Sequence, residues 1–146
     1  MVRYLVVANQ TLAADALLDE IRRRAEEKRC SFHVVVPATH PHEQLLYTEG
    51  GARAVASRRL EEVLAWLSGH GVDVDGEVGD ARPLDAIRDA LRWRSYQGII
   101  VSTLPPGLSR WIKQDLPNRV RRAFGIPVHH VIGVRWTAPL HSGADG

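Results

Sequence analysis

Short apolar runs alternate with segments of helical periodicity along almost the whole chain, and this alternation constrains the fold more than any other feature. Tyr4 to Ala8 is apolar and ends at Asn9-Gln10-Thr11; Ala14, Leu17, Leu18, Ile21 and Ala25 then recur at helical spacing. Thr11 reads as the N-cap of that helix. Phe32 to Val36 forms the next strand, and the loop from Pro37 to Gly51 leads to a helix with Ala56, Leu60, Val63, Leu64 and Leu67 on one face, closed by Gly69 or Gly71. Val72, Val74 and Val78 around Gly76 predict a third strand, bent or near an edge. Pro83 suits a first helical turn, and Leu84, Ile87, Ala90 and Leu91 give the third helix its buried face. Gly98 to Val101 is a continuous apolar strand of the kind found at the centre of a parallel sheet. A basic helix ending near Gly125 and a last strand from Pro127 to Val134 complete the series.

Strand following helix with short connections predicts an α/β fold, a doubly wound parallel sheet of five strands in the order 3-2-1-4-5 with helices on both faces. A chain of 146 residues is long enough to bury a core as one domain, here residues 1–136, with a small, polar and loose tail over 137–146. No apolar run approaches the ~20 residues that span a bilayer, and the start MVRYLVVANQ lacks a cleavage site of small residues, so no membrane partner is expected and the cytoplasm is the expected location. The net charge of +2 does not point to nucleic acid; the cations near the end of the first helix complement its dipole. Cys30, the one cysteine, reads as a packing residue whose thiol pKa burial raises.

In a sheet of this order ligands bind beyond the carboxyl ends of the strands, where the strand order reverses, between the first and fourth strands. The expected lining is Asn9, Gln10 and Thr11 on one side, and Ser102, Thr103 and the loop STLPPGLSRWIK on the other.

Over nearly its whole length the chain resembles the universal stress proteins of the UspA type. The resemblance rests on the opening strand with its polar turn, the segment GDARPLDAI, the strand at Gly98 to Val101 and the closing RVRRAFGIPVHHV. Members of that family that bind ATP carry Gly-x2-Gly-x9-Gly-[Ser/Thr] after the fourth strand, where glycine amides cradle the phosphates. The resemblance places those glycines at Val101, Leu104 and Gln114, while Gly107-Leu108-Ser109-Arg110 matches the family's Gly-Leu-Ser-Arg between them. All the motif glycines are therefore replaced. Side chains at these positions block close approach of a phosphate, and Pro105 and Pro106 each remove an amide donor. Asp115 would cap the last helix with its carboxylate where an anion would otherwise sit. ATP binding is not expected, and no cofactor is implied. Asn9-Gln10-Thr11 replaces the family's Asp-x-Ser turn and keeps hydrogen-bonding capacity. The family also commonly pairs through its last strand, which implies a homodimer with Val128, His130, Ile132 and Val134 at the interface.

Other candidate chemistry is sparse. His40 and His42 with Glu43 follow the second strand, but two loop histidines do not define a metal geometry, and no metal site is assigned. His129 and His130 are adjacent on a strand and face opposite ways. No nucleophile motif is present, and Trp66, Trp93 and Trp111 read as core or interface residues, Trp111 covering apolar surface. Two readings follow. The first is a regulatory or binding module in stress adaptation that does not bind ATP, with no catalytic residues. The second is a binder of a small molecule or anion, including a nucleotide held in a changed mode, or an enzyme. It would use Asn9, Thr11, Ser102 and Thr103 as polar contacts and Arg110 and Lys113 for a negative group. A filled, apolar crevice beside Ser102 favours the first reading and a deep, polar one the second.

Overall fold

Each apolar run becomes a strand and each periodic segment a helix, in the order β1 (Val2–Val7), α1 (Asp15–Glu27), β2 (Cys30–Pro37), α2 (Glu49–Gly69), β3 (Val74–Gly79), α3 (Pro83–Leu91), β4 (Gly98–Thr103), α4 (Arg110–Lys113), α5 (Leu116–Phe124) and β5 (Val128–Ile132). This is a computed structural model, and it describes residues 1–38 and 49–133. His40, His42, Glu43, Val134 and the tail over 137–146 lie outside the described residues. The five strands form one sheet in the order β3-β2-β1-β4-β5, and every neighbouring pair is parallel, as expected.

Alternation along the central strands divides the core in two. Val6, Val34 and Ile100 stand side by side in register and pack under Leu17 and Ile21 of α1 and Ala56, Val63 and Leu67 of α2. Leu5, Val7, Ile99 and Val101 face the other way, against Ile87 and Ala90 of α3 and Leu116 and Val120 of α5. Both faces of β1 and β4 are covered, which is why these strands read as unbroken apolar runs. At about 2 kcal/mol for each fully buried Leu, Ile or Val side chain, this burial is what fixes the helices over the strand ends.

The two edges of the sheet differ. On β3 a Cβ at Gly76 would lie 2.6 Å from the Val34 carbonyl oxygen, so only glycine allows β3 to approach β2 there. The outer residues Asp75 and Glu77 are charged and hold His33 of β2 between them, with Nδ1 2.7 Å from Asp75 Oδ1 and Nε2 2.7 Å from Glu77 Oε2. At the opposite edge β5, VHHVI, carries no acidic or basic residue apart from its two histidines, and Ile132 is 46% exposed.

Several local expectations need correction. Thr11 does not cap α1: the N-cap is Ala14, which supplies no side-chain cap, and the chain first makes a turn in which the Ala14 amide donates to the Thr11 carbonyl (2.9 Å). The Thr11 hydroxyl is turned instead toward Ser102. The single helix expected before Gly125 is two, because Pro117 lacks an amide hydrogen and its ring would clash with the carbonyl of Lys113, four residues back. Helix α4 therefore stops at Lys113, and α5 restarts with Pro117 in its first turn. Asp115 occupies the N-cap position of α5 but does not cap it with its carboxylate. Its backbone is left-handed (φ 58°), outside the extended region that aims an N-cap side chain at the helix amides. The carboxylate accepts from Asn118 Nδ2 (2.9 Å) and lies 3.8 Å from Arg122. Trp93 is 82% exposed and has no place in the core, whereas Trp66 and Trp111 are half-buried and pack against the first and second cores. Cys30 is buried, with Sγ 3.5 Å from the Arg24 carbonyl, and burial pushes its thiol pKa up.

Candidate functional site

The carboxyl ends of β1 and β4 open into a crevice of about 1180 Å³. Its floor is polar and hydrogen-bonded. Asn9, Thr11, Ser102 and Thr103 all line it and all are buried, the hydroxyl residues to 2% exposure or less. Buried polar groups in this position must be hydrogen-bonded, and each one is. Asn9 Nδ2 donates to the Pro37 carbonyl (2.8 Å), and its Oδ1 accepts from Arg59 Nη1 (2.6 Å), so this amide ties the ends of β1 and β2 to α2. Thr11 Oγ1 and Ser102 Oγ lie 2.6 Å apart, and Thr103 Oγ1 lies 2.8 Å from His130 Nε2 on β5. Of the Thr11–Ser102 pair only one hydroxyl can donate to the other, which leaves the second with a proton to offer.

The walls come from two helical segments. Along α3 stand Arg82 at the N-cap, Asp85 in the first turn and Arg88 in the last; across from them α4 and α5 contribute Arg110, Trp111, Lys113 and Arg119. The α3 wall neutralises itself in part. Asp85 Oδ1 accepts from Arg88 Nη1 (2.8 Å), while its Oδ2 lies 3.9 Å from Arg82. On the opposite wall Arg110, Lys113 and Arg119 are exposed at the rim and pair with no carboxylate among the described residues. Among the described residues the lining thus holds five cations, Arg82, Arg88, Arg110, Lys113 and Arg119, against the one carboxylate of Asp85, a balance suited to an anion.

Part of the backbone of the loop after β4 is closed to a ligand. Leu104 is buried, Pro105 and Pro106 have no amide hydrogen, and the amides of Leu108 and Ser109 both donate to the Pro105 carbonyl (3.0 and 3.1 Å). The Ile112 amide donates to Ser109 Oγ (3.0 Å), the side-chain cap of α4. Only Gly107 keeps the left-handed backbone of a glycine loop, at φ 92°. Val101, where the resemblance would put the first motif glycine, is fully buried in the second core.

All six residues expected from the sequence, Asn9, Thr11, Ser102, Thr103, Arg110 and Lys113, line this one crevice. The sequence reading did not place Arg82, Asp85, Arg88 or Arg119 there, nor the links to Arg59 and His130. For Arg82 a signal was present: the residue just before Pro83 opens a helix that follows a strand, and such helix starts lie at the carboxyl ends of a parallel sheet. Arg59 and His130 reach the floor from 50 and 27 residues away in sequence, and no local pattern announces that.

Two solved structures that superpose on this chain are universal stress proteins. That of the universal stress protein from Archaeoglobus fulgidus superposes with a TM-score of 0.61 over 90% of this chain and 93% of its own, at 15% identity. The chain has the universal stress protein fold. A protein of the universal stress protein family from Burkholderia pseudomallei superposes with a TM-score of 0.59, covering 88% of this chain and 93% of its own at 17% identity. No protein-family model and no curated protein sequence matches the chain. On this fold the chain lines its strand-end crevice with cations. Among the described residues no cluster of three His, Cys, Asp or Glu side chains is placed to hold a metal, and no helix is long and apolar enough to cross a membrane.

Proposed function

We propose that the chain is a binding module of the universal stress type, acting in stress adaptation in the cytoplasm, that holds a compact anionic small molecule in the strand-end crevice and performs no catalysis. The observation that carries this reading is the set of cations Arg110, Lys113 and Arg119, without a carboxylate partner among the described residues, lining one open crevice with the buried hydroxyls of Thr11, Ser102 and Thr103. Such a floor favours the second of the two sequence readings over a filled, apolar one. Side chains, through charge-assisted hydrogen bonds, are the contacts. In this reading ATP is not the ligand: Pro105 and Pro106 have no amide hydrogen to offer its phosphates, and the Leu108 and Ser109 amides already donate to the Pro105 carbonyl. The lone, buried Cys30 fits a reducing compartment.

Calorimetry with inorganic pyrophosphate and with ATP and magnesium tests this. The expected outcome is saturable binding of pyrophosphate at roughly 10–100 μM and none of ATP at millimolar concentration. Micromolar ATP binding, or no pyrophosphate binding, contradicts it.

The module is also proposed to be a homodimer through β5. Val128, His130 and Ile132 lie on an edge strand that has no charged residue to blunt it, and antiparallel pairing of two copies would satisfy its free backbone groups. Ile132→Pro removes a donor from that edge, and sedimentation should then shift from dimer to monomer. A wild-type monomer at tens of micromolar rules the interface out.

A further inference from the structure

The bond between Thr103 and His130 joins the crevice floor to the edge strand. Thr103 is 2% exposed and lines the crevice, and its Oγ1 lies 2.8 Å from His130 Nε2. The register sets His130 opposite Val101, so the ring reaches diagonally to Thr103 on the same sheet face, while His129 turns to the other face against Tyr4. A threonine hydroxyl has one proton. If Nε2 carries no hydrogen, Thr103 must donate to it, and the crevice then faces oxygen lone pairs that repel an anion. If Nε2 carries a hydrogen, Thr103 accepts from it and turns its own proton toward the crevice.

Resting on the anion reading above, we propose that His130 is a positioning residue for the crevice, setting the direction in which Thr103 donates, and that an anion bound there draws a proton onto His130. The imidazolium always carries the Nε2 hydrogen and places a positive charge directly behind the hydroxyl. In the free protein that charge is disfavoured, first by burial and then by Arg121 of α5, and the ring's pKa is held below its usual value. The β4 residues packed against the ring, Val101 and Thr103, are uncharged, and Arg121 is the charged group that acts on it among the described residues. A bound anion supplies the opposite charge, so its binding and the protonation of His130 favour each other reciprocally. Affinity is then highest at low pH and falls as pH rises through the pKa of the bound form.

The test is calorimetric titration of the full chain with inorganic pyrophosphate at pH 5.5 and 7.5, in buffers of different ionisation enthalpy, beside His130→Gln and Thr103→Val. Glutamine keeps a donor near Nε2 and cannot titrate. Pyrophosphate itself titrates in this range, so the readout is the difference between proteins. The wild type should gain roughly fivefold more affinity on acidification than His130→Gln and should take up an extra fraction of a proton. At pH 7.5 His130→Gln should bind within about threefold of the wild type, whereas Thr103→Val should bind more weakly at both pH values and lose the extra proton uptake. Equal pH dependence and equal proton uptake in wild type and His130→Gln overturn the linkage while leaving anion binding standing. Absence of binding to every protein overturns the anion reading and the linkage with it.

Discussion

The two walls of the crevice are anchored alike and charged differently. Helix α3 is held by Ile87 and Ala90 and α5 by Leu116 and Val120, all in the same core cluster. Yet Arg82 and Arg88 share Asp85, whereas Arg110, Lys113 and Arg119 have no carboxylate partner among the described residues. An ion pair already made must be loosened before its cation can serve a ligand, and an unpaired cation at the rim has no such cost. The difference assigns the anion to the α4–α5 wall and leaves α3 as a supporting surface.

The largest expected effect tests the shared anchoring. Ile87→Ala and Leu116→Ala each leave a cavity under one wall, and each should lower unfolding free energy by about 3 kcal/mol in urea melts. A loss at one wall several times that at the other would break the premise that the walls are equally rigid. Next comes the contrast in charge. Arg110→Ala with Lys113→Ala should weaken pyrophosphate binding about 100-fold, roughly tenfold for each charge-assisted contact, while Arg82→Ala with Arg88→Ala should cost less than about threefold. Similar losses from the two pairs would erase the distinction. A smaller effect comes from Asp85→Asn, which releases Arg82 and Arg88 and should tighten binding by about threefold, because the α3 wall then resembles its opposite.

The smallest effect is on stability against pH, at the β5 edge of the sheet. Burial is the first cause that holds both His129 and His130 below the usual histidine value of 6.5, helped by Arg24 for His129 and Arg121 for His130. The unfolded chain therefore binds more protons than the native state as pH falls from 6.5, so stability rises with pH: it is full above 6.5 and declines as pH drops through the folded values. The urea midpoint should be lower at pH 5 than at pH 7.5, and His130→Gln should narrow that gap.

The sheet was legible in the sequence because the strands covered on both faces must be apolar throughout and their helices must repeat an apolar face. Val6 to Ala8, Ile99 to Val101 and the Leu17, Leu18, Ile21 series leave little choice of period. The crevice floor was legible for the same reason, since Asn9, Thr11, Ser102 and Thr103 directly follow or end those strands. What failed was local capping. Thr11 and Asp115 have the right chemistry for N-caps, but Thr11 is drawn to Ser102 across the sheet and Asp115 is turned by the break that Pro117 imposes. The contrast between the walls was hidden as well, because the pairing of Asp85 with Arg88, and the lack of a carboxylate partner for Arg110, Lys113 and Arg119 among the described residues, depend on how α3, α4 and α5 settle over the strand ends.

The most direct measurement of the central claim is nuclear magnetic resonance of the arginine Nε–Hε groups during a pyrophosphate titration. The account predicts saturable shifts at Arg110 and Arg119 with little change at Arg82 and Arg88. Shifts confined to Arg82 and Arg88, or none at any of the four, would contradict it.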